Sequence, residues 1–313
     1  MLKRFLIVLA VMVFSICCTA SFADTNLNMA TGYVLQPSAS VLPANQLQVS
    51  GAYVASEGTN ELSQLGVGPV VCHGRGENVR LLYGIGNRAE IGLGWVQIHK
   101  AIGSANAFDP SLKIKVVDQP KSNFALSLGG YIRNWNTDMR IGEEEIFSVI
   151  HPAAYGFFAP PVMVDLPIVQ SMYLVMDKTW RPASKSSPTI SASIGLACDH
   201  YGRTNQQFTP YYYDGGDMMP GYLDIGVVQI PGHTFYEPFV GAQVKFPCGC
   251  AILADYKTKE QSHGFDYQSA TWSVAARKSI GKDLTATAGV TTFNIPYSDA
   301  KAGWFADLSY TFK

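Results

Sequence analysis

Charge is scarce in this chain. Asp, Glu, Lys and Arg make up 15% of its 313 residues, well below the usual quarter or so. The net charge is −1, so the basic footprint of a nucleic-acid-binding protein is missing and no nucleic-acid partner is expected. Long apolar runs are scarce too. Beyond residue 23 no stretch of about 18 apolar residues occurs, which excludes a bundle of membrane helices. What the chain does have is 29 Gly, 16 Tyr and 16 Phe. Few charges with many aromatics and glycines fit a β-rich chain that turns one face to something other than water.

The first residues give the destination. Lys3 and Arg4 are followed by an apolar run from Phe5 to Cys18, and Ala20-Ser21-Phe22-Ala23 places small residues at the −3 and −1 positions of a cleavage site. This is the layout of a bacterial secretory signal peptide, too short to span a membrane comfortably. The expected organisation is a signal peptide over 1–23, a periplasmic N-terminal segment over 24–45 and a β domain over 46–313.

The chain ends WFADLSYTFK. Trp304, Ala306, Leu308, Tyr310 and Phe312 alternate with Phe305, Asp307, Ser309 and Thr311, the period of a strand with two unlike faces. Eleven other segments alternate in the same way, among them 89–98, 190–199 and 240–246. Their connections alternate between long (55–77, 99–111, 135–169, 201–234, 258–266, 294–302) and short (87–88, 119–122, 178–188, 247–249, 279–282). An even strand count with long loops at one end and short turns at the other predicts an all-β protein, a single antiparallel transmembrane β-barrel of about 12 strands in a bacterial outer membrane. Segments 161–168 and 222–230 would raise the count to 14 if they joined the wall. The alternative is a secreted β-sandwich, with the apolar faces turned inward.

The less apolar face of the strands carries Arg80, Glu90, Lys113, Lys115, Arg133, Asp177, Asp199, Lys245, Asp255, Lys257, Arg277 and Asp307. In a barrel spanning lipid these point into the lumen. There they either set the selectivity of an open, porin-like channel or brace a closed one as ion-paired ladders. Trp95, Tyr53, Tyr256, Tyr310 and Phe312 fall near strand ends, where girdle aromatics belong. A closing strand with a terminal aromatic, here Phe312 followed by Lys313, resembles the signal that barrel-insertion machinery reads.

Three stretches, TGYVLQPSASVLPANQLQVSGAY (31–53), YGIGNRAEIGLGW (83–95) and EPFVGAQVKFPCGCAILADYK (237–257), resemble the YjbH family of outer-membrane barrels. The resemblance covers about a third of the processed chain. It implies the same location and architecture, no catalytic motif, and a link to exopolysaccharide production.

The remaining chemistry-bearing residues are scattered. Cys72 and Cys198 fall at the outer side and are a candidate disulfide. Cys248 and Cys250 fall at a periplasmic turn, either paired locally or free, and too far from the other two to share a metal ion. Tyr211, Tyr212, Tyr213 and Asp214 form an aromatic, acidic outer loop suited to stacking on sugars. His151, His200, His233 and His263 lie near outer loops, where a rim hydrolase would place them, but no nucleophile spacing singles one out. No enzyme, cofactor or metal is expected. The first functional expectation is passage or export of polar solutes, polysaccharide included. The second is a non-conducting structural or adhesion barrel with partner-binding outer loops.

Overall fold

The computed structural model describes residues 27, 30–60, 70–100, 103–135, 138–141, 162–165, 168–182, 184, 186–208, 211–214, 217–220, 227–230, 232–258, 270–292, 299–300 and 302–313. Twelve long strands form the wall. They are β1 (Leu47–Asn60), β2 (Val70–Ile85), β3 (Ala89–Lys100), β4 (Gly103–Val117), β5 (Ala125–Trp135), β6 (Val169–Trp180), β7 (Thr189–Tyr201), β8 (His233–Lys245), β9 (Cys250–Lys257), β10 (Thr271–Ile280), β11 (Leu284–Thr292) and β12 (Ala302–Phe312). Each pairs antiparallel with its neighbours in chain order, and β1 pairs with both β2 and β12, so the sheet closes. At the seam Leu47 stands opposite Phe312 on one side and Tyr83 on the other. Closure leaves no open edge, the condition for a sheet to lie in hydrocarbon.

The two faces settle which solvent the wall meets. Along β12 exposure alternates strictly, with Trp304, Leu308, Tyr310 and Phe312 outward and half-exposed while Asp307, Ser309 and Thr311 are buried inside. The same outward set continues through Leu93, Leu128, Leu174, Ile194, Val240, Ile252 and Val274. An apolar belt around a polar interior is the inverse of a water-soluble barrel and is the surface of a membrane-spanning one. The chain is an outer-membrane β-barrel. The expected girdle residues Trp95, Tyr256, Tyr310 and Phe312 all face outward. Tyr53 packs against Trp304 with ring centroids 5.3 Å apart.

The short connections are built for sharp reversal. Gly86 and Asn87 have φ of 57° and 55°, and the Arg88 N–H donates to the Ile85 carbonyl at 3.1 Å. Two successive positive φ values make the turn whose twist matches that of paired strands.

Two expectations change. The described residues of the expected 99–111 loop, which leave out 101–102, belong instead to the paired strands, with Lys100 opposite Gly103, so β3 and β4 run further outward than the sequence pattern shows. The candidate extra strands Val162–Asp165 and Val227–Ile230 exist but join Thr204–Phe208 and Asp138–Ile141 in a separate four-stranded sheet made from the two longest loops. The wall therefore has twelve strands, not fourteen.

Candidate functional site: a lumen closed by the N-terminal segment

Residues 30–42 lie inside the barrel. Tyr33, Val34, Leu35, Ala39 and Leu42 are each at most 4% exposed. The segment expected on the periplasmic side thus enters the cylinder, and the reason is visible in its contacts. It is too irregular to form a strand. Its backbone amides therefore need partners, and lumenal carboxylates provide them.

Glu90 is the second residue of β3, just above the Gly86–Arg88 turn. It binds both ends of the segment. Its Oε1 accepts from the Thr31 N–H at 2.8 Å, and its Oε2 accepts from the Leu42 N–H at 2.8 Å and from the Thr31 hydroxyl. Lys113 stands directly opposite on β4 and pairs with Glu90 at 2.8 Å. The same ammonium donates to the carbonyls of Thr31 at 2.8 Å and Ser38 at 3.3 Å. On the far wall, Asp255 Oδ2 accepts three consecutive N–H groups, from Val34 and Leu35 at 2.8 Å and Gln36 at 3.2 Å, while Ser273 donates to its Oδ1. Successive amides converging on one anion form a nest, with the carboxylate in the place of the bound ion. Asp177 Oδ2 takes the Ala39 N–H at 2.7 Å and the Ser127 hydroxyl donates to the Ala39 carbonyl at 2.7 Å. Arg277 Nη2 donates to the Tyr33 carbonyl at 3.0 Å, and the Asn78 amide to the Leu27 carbonyl at 2.9 Å.

Shape complements this polar attachment. A Cβ at Gly241 on β8 would come within 2.5 Å of the Tyr33 ring, and one at Gly84 on β2 within 2.0 Å of the Pro43 carbonyl oxygen. Bare backbone at these two places lets the segment lie flat on the wall. Leu27, Val34 and Leu35 also share an apolar cluster with Val54, Leu253 and Phe305.

Nearer the long-loop end the wall is braced by ion pairs. Arg133 grips Asp109 with two nitrogens, Nε at 2.9 Å and Nη2 at 2.7 Å from Oδ2, and its guanidinium lies 5.5 Å from the Tyr131 ring. Lys257 bridges Asp199 at 2.5 Å and Glu237. Arg80 pairs with Asp307 across β1 at the closing seam. Between these pairs and the N-terminal segment is a small recess. Ala30, Leu35, Gln36 and Pro37 form its floor, and Tyr131, Tyr173, Phe239 and Lys257 stand around it.

All twelve expected lumenal charges fall on inward positions of their strands. Arg80, Glu90, Lys113, Arg133, Asp109, Asp199, Asp307, Lys257 and Glu237 are paired with one another. Lys115 reaches Asp118 at 3.3 Å at the short-turn rim, and Lys245 lies at the end of β8 opposite Ala251. Asp109 falls within the expected 99–111 loop, and Glu237 falls between the 201–234 loop and the alternating segment 240–246, so the sequence pattern marks neither as lumenal.

Other expectations fare differently. Cys198 is a free thiol, so the disulfide to Cys72 is not formed. Cys198 faces outward on β7, while Cys72 lies on β2, five strands away around the ring. The Tyr211–Asp214 strand pairs with Asp217–Pro220 in a hairpin apart from the wall, and its side chains lie outside the described residues, as do His151 and His263. His200 shares a hydrogen bond with Thr234 Oγ1 at 2.9 Å.

No protein-family model matches this chain, and no curated protein is similar to it. Several solved structures align with it over most of its length. An outer membrane channel from Pseudomonas putida F1 aligns at 10% identity over 89% of this chain and 100% of its own, with a TM-score of 0.49. The translocator domain of the autotransporter NalP from Neisseria meningitidis aligns at 12% identity over 84% and 88%, with a TM-score of 0.42. The Pseudomonas putida toluene transporter TodX aligns at 8% identity over 95% and 98%, with a TM-score of 0.39. Likeness at this level carries no argument about cargo, and the membrane placement rests on the outward apolar belt.

Proposed function

We propose that this barrel is a gated channel for polar solutes, closed at rest by residues 30–42 of its own chain. The observation that carries this reading is how the segment is held. Its backbone amides and carbonyls bond to wall carboxylates, hydroxyls and cations, while β1 to β12 close the cylinder without it. When such a segment shifts, water replaces each partner, so the net cost per hydrogen bond is modest, about 0.5–1.5 kcal/mol for a neutral pair and more for a charged one. A wall closed by its own ladder and braced by its own ion pairs can lose its filling and remain a barrel. Exopolysaccharide as the solute rests on the YjbH-like stretches alone.

Locking the segment tests the reading. The Ser127 hydroxyl donates to the Ala39 carbonyl at 2.7 Å, so cysteines at these two positions, in a chain otherwise free of cysteine, lie within the span of a short bis-methanethiosulfonate cross-linker that reductant cleaves. In liposomes loaded with a small sugar, the bridge, verified by gel, should stop efflux and reductant should restore it. Efflux indifferent to the state of the bridge would overturn the proposal.

A further inference from the structure

The turn between β8 and β9 gathers a second group of reactive side chains, outside the lumen. The Gly249 N–H donates to the Phe246 carbonyl at 3.1 Å, and the Phe246 N–H to the Cys250 carbonyl at 2.8 Å. Gly249 has φ 77°, in the left-handed region that glycine enters freely. This geometry sets Cys248 and Cys250 on the same side of the turn. Neither is in a disulfide, Cys248 is half-buried and Cys250 buried, and their side chains are hydrogen-bonded to each other. Lys278 of β10 stands opposite Cys250 in the ladder. Its ammonium donates to the Cys248 carbonyl at 2.9 Å and also hydrogen-bonds the Cys250 thiol. The backbone N–H of Cys250 holds the Cys248 thiol below the ordinary range for cysteine, and the neighbouring thiol and Lys278 act in the same sense. A partly exposed cysteine in an electropositive setting beside a second thiol is the arrangement of a reactive thiol rather than an inert one.

The short-turn end of the barrel is the periplasmic end, where disulfides form and exchange. We propose that Cys248 and Cys250 are a thiol–disulfide exchange site at the periplasmic rim, Cys248 attacking and Cys250 resolving, whose co-substrate is a disulfide presented by a periplasmic protein. The Cys248 thiolate attacks one sulfur of that disulfide. The partner's S–S bond breaks, its other sulfur leaves as a thiolate and takes a proton, and Cys248 is left in a mixed disulfide. The Cys250 thiolate then attacks the Cys248 sulfur and expels the second partner thiol. The pair has lost two protons and two electrons to form one S–S bond, and the partner disulfide has gained them. The reverse sequence oxidises a partner dithiol. Lys278 lowers the energy of the thiolate in either direction. The site lies on the outer rim of the wall and does not depend on whether the lumen conducts.

The test uses the processed, full barrel folded in detergent, with Cys72→Ser and Cys198→Ser so that this pair alone reacts. The probe is dithiobis-nitrobenzoate, a small aromatic disulfide whose released thiol is coloured. The expected result is release of a second coloured thiol promptly after the first, leaving a chain with no adduct and an intact mass lower by two hydrogens. Cys250→Ser should stop after one release and keep the adduct. Cys248→Ser and Lys278→Gln should slow the first release by about 10-fold. Heat-modifiability on gels checks that each variant is folded. The mass of the unsubstituted pair decides the matter even if a variant misfolds. Two retained adducts would mean independent thiols and would overturn the proposal, as would equal rates and products for the two cysteine variants.

Discussion

Tyr33 of the lumenal segment lies against the bare backbone of Gly241 on β8, so closely that a Cβ there would sit 2.5 Å from the ring. Ring and glycine are far apart in sequence, and neither position has an alternation that would pair them. Gly241→Ala should push the ring off the wall and loosen the segment while β8 keeps its ladder. Protease added to the periplasmic face of reconstituted barrels should then cut within 27–46 several-fold faster than in the unsubstituted chain. An unchanged cutting rate would mean that the ring is not seated there.

Asp255 gives a graded version of the same experiment. In Asp255→Asn an amide oxygen remains to accept from Val34, Leu35 and Gln36, though without charge. In Asp255→Ala these amides lose their acceptor, at about 1–3 kcal/mol for each one left unsatisfied. Hydrogen exchange at residues 34–36 should therefore rise in the order native, Asn, Ala, with at least a tenfold step to Ala.

Arg80 and Asp307 close the seam from inside. Their side chains are 0% and 7% exposed and they pair across β1. Asp307→Ala leaves a buried guanidinium without its carboxylate, a loss of about 3–5 kcal/mol. The variant should unfold at markedly lower temperature in a heat-modifiability series. Replacing both residues with apolar ones of similar size should recover much of the loss, because no uncompensated charge then remains.

The lipid-facing side of a strand should not tolerate a charge. Leu174 of β6 is outward and 47% exposed, to lipid. Leu174→Arg should cost about 2–4 kcal/mol of folding free energy near the bilayer midplane, read by urea titration in lipid vesicles. The same change in detergent-free buffer has no folded reference state, so lipid is required for the comparison.

The wall was legible in the sequence because a strand exposed on both faces to different solvents writes its period directly. Trp304 to Phe312 shows this in five outward residues. The twelve lumenal charges were legible for the same reason, since parity alone assigns them. The closing of the lumen was not. Residues 30–42 have no period, and nothing local says that Val34 N–H and Asp255, 221 positions apart, will meet. One signal was present: Val34, Leu35, Val41 and Leu42 are apolar residues in a Pro- and Ser-containing stretch too short to form a domain, and such residues need cover. Asp109 and Glu237 are not legible because alternation weakens toward these strand ends, whereas the ladder continues beyond them. The Cys72–Cys198 pairing assumed that two outer-end cysteines could meet, but a closed ring fixes them five strands apart.

The most direct measurement of the central claim is single-channel conductance in planar bilayers for the processed chain and for a chain lacking residues 30–42. The closed lumen predicts rare, brief openings in the first and a steady, long-lived conductance in the second, with both proteins equally heat-modifiable. Identical records from two folded barrels, whether silent or open, would contradict it.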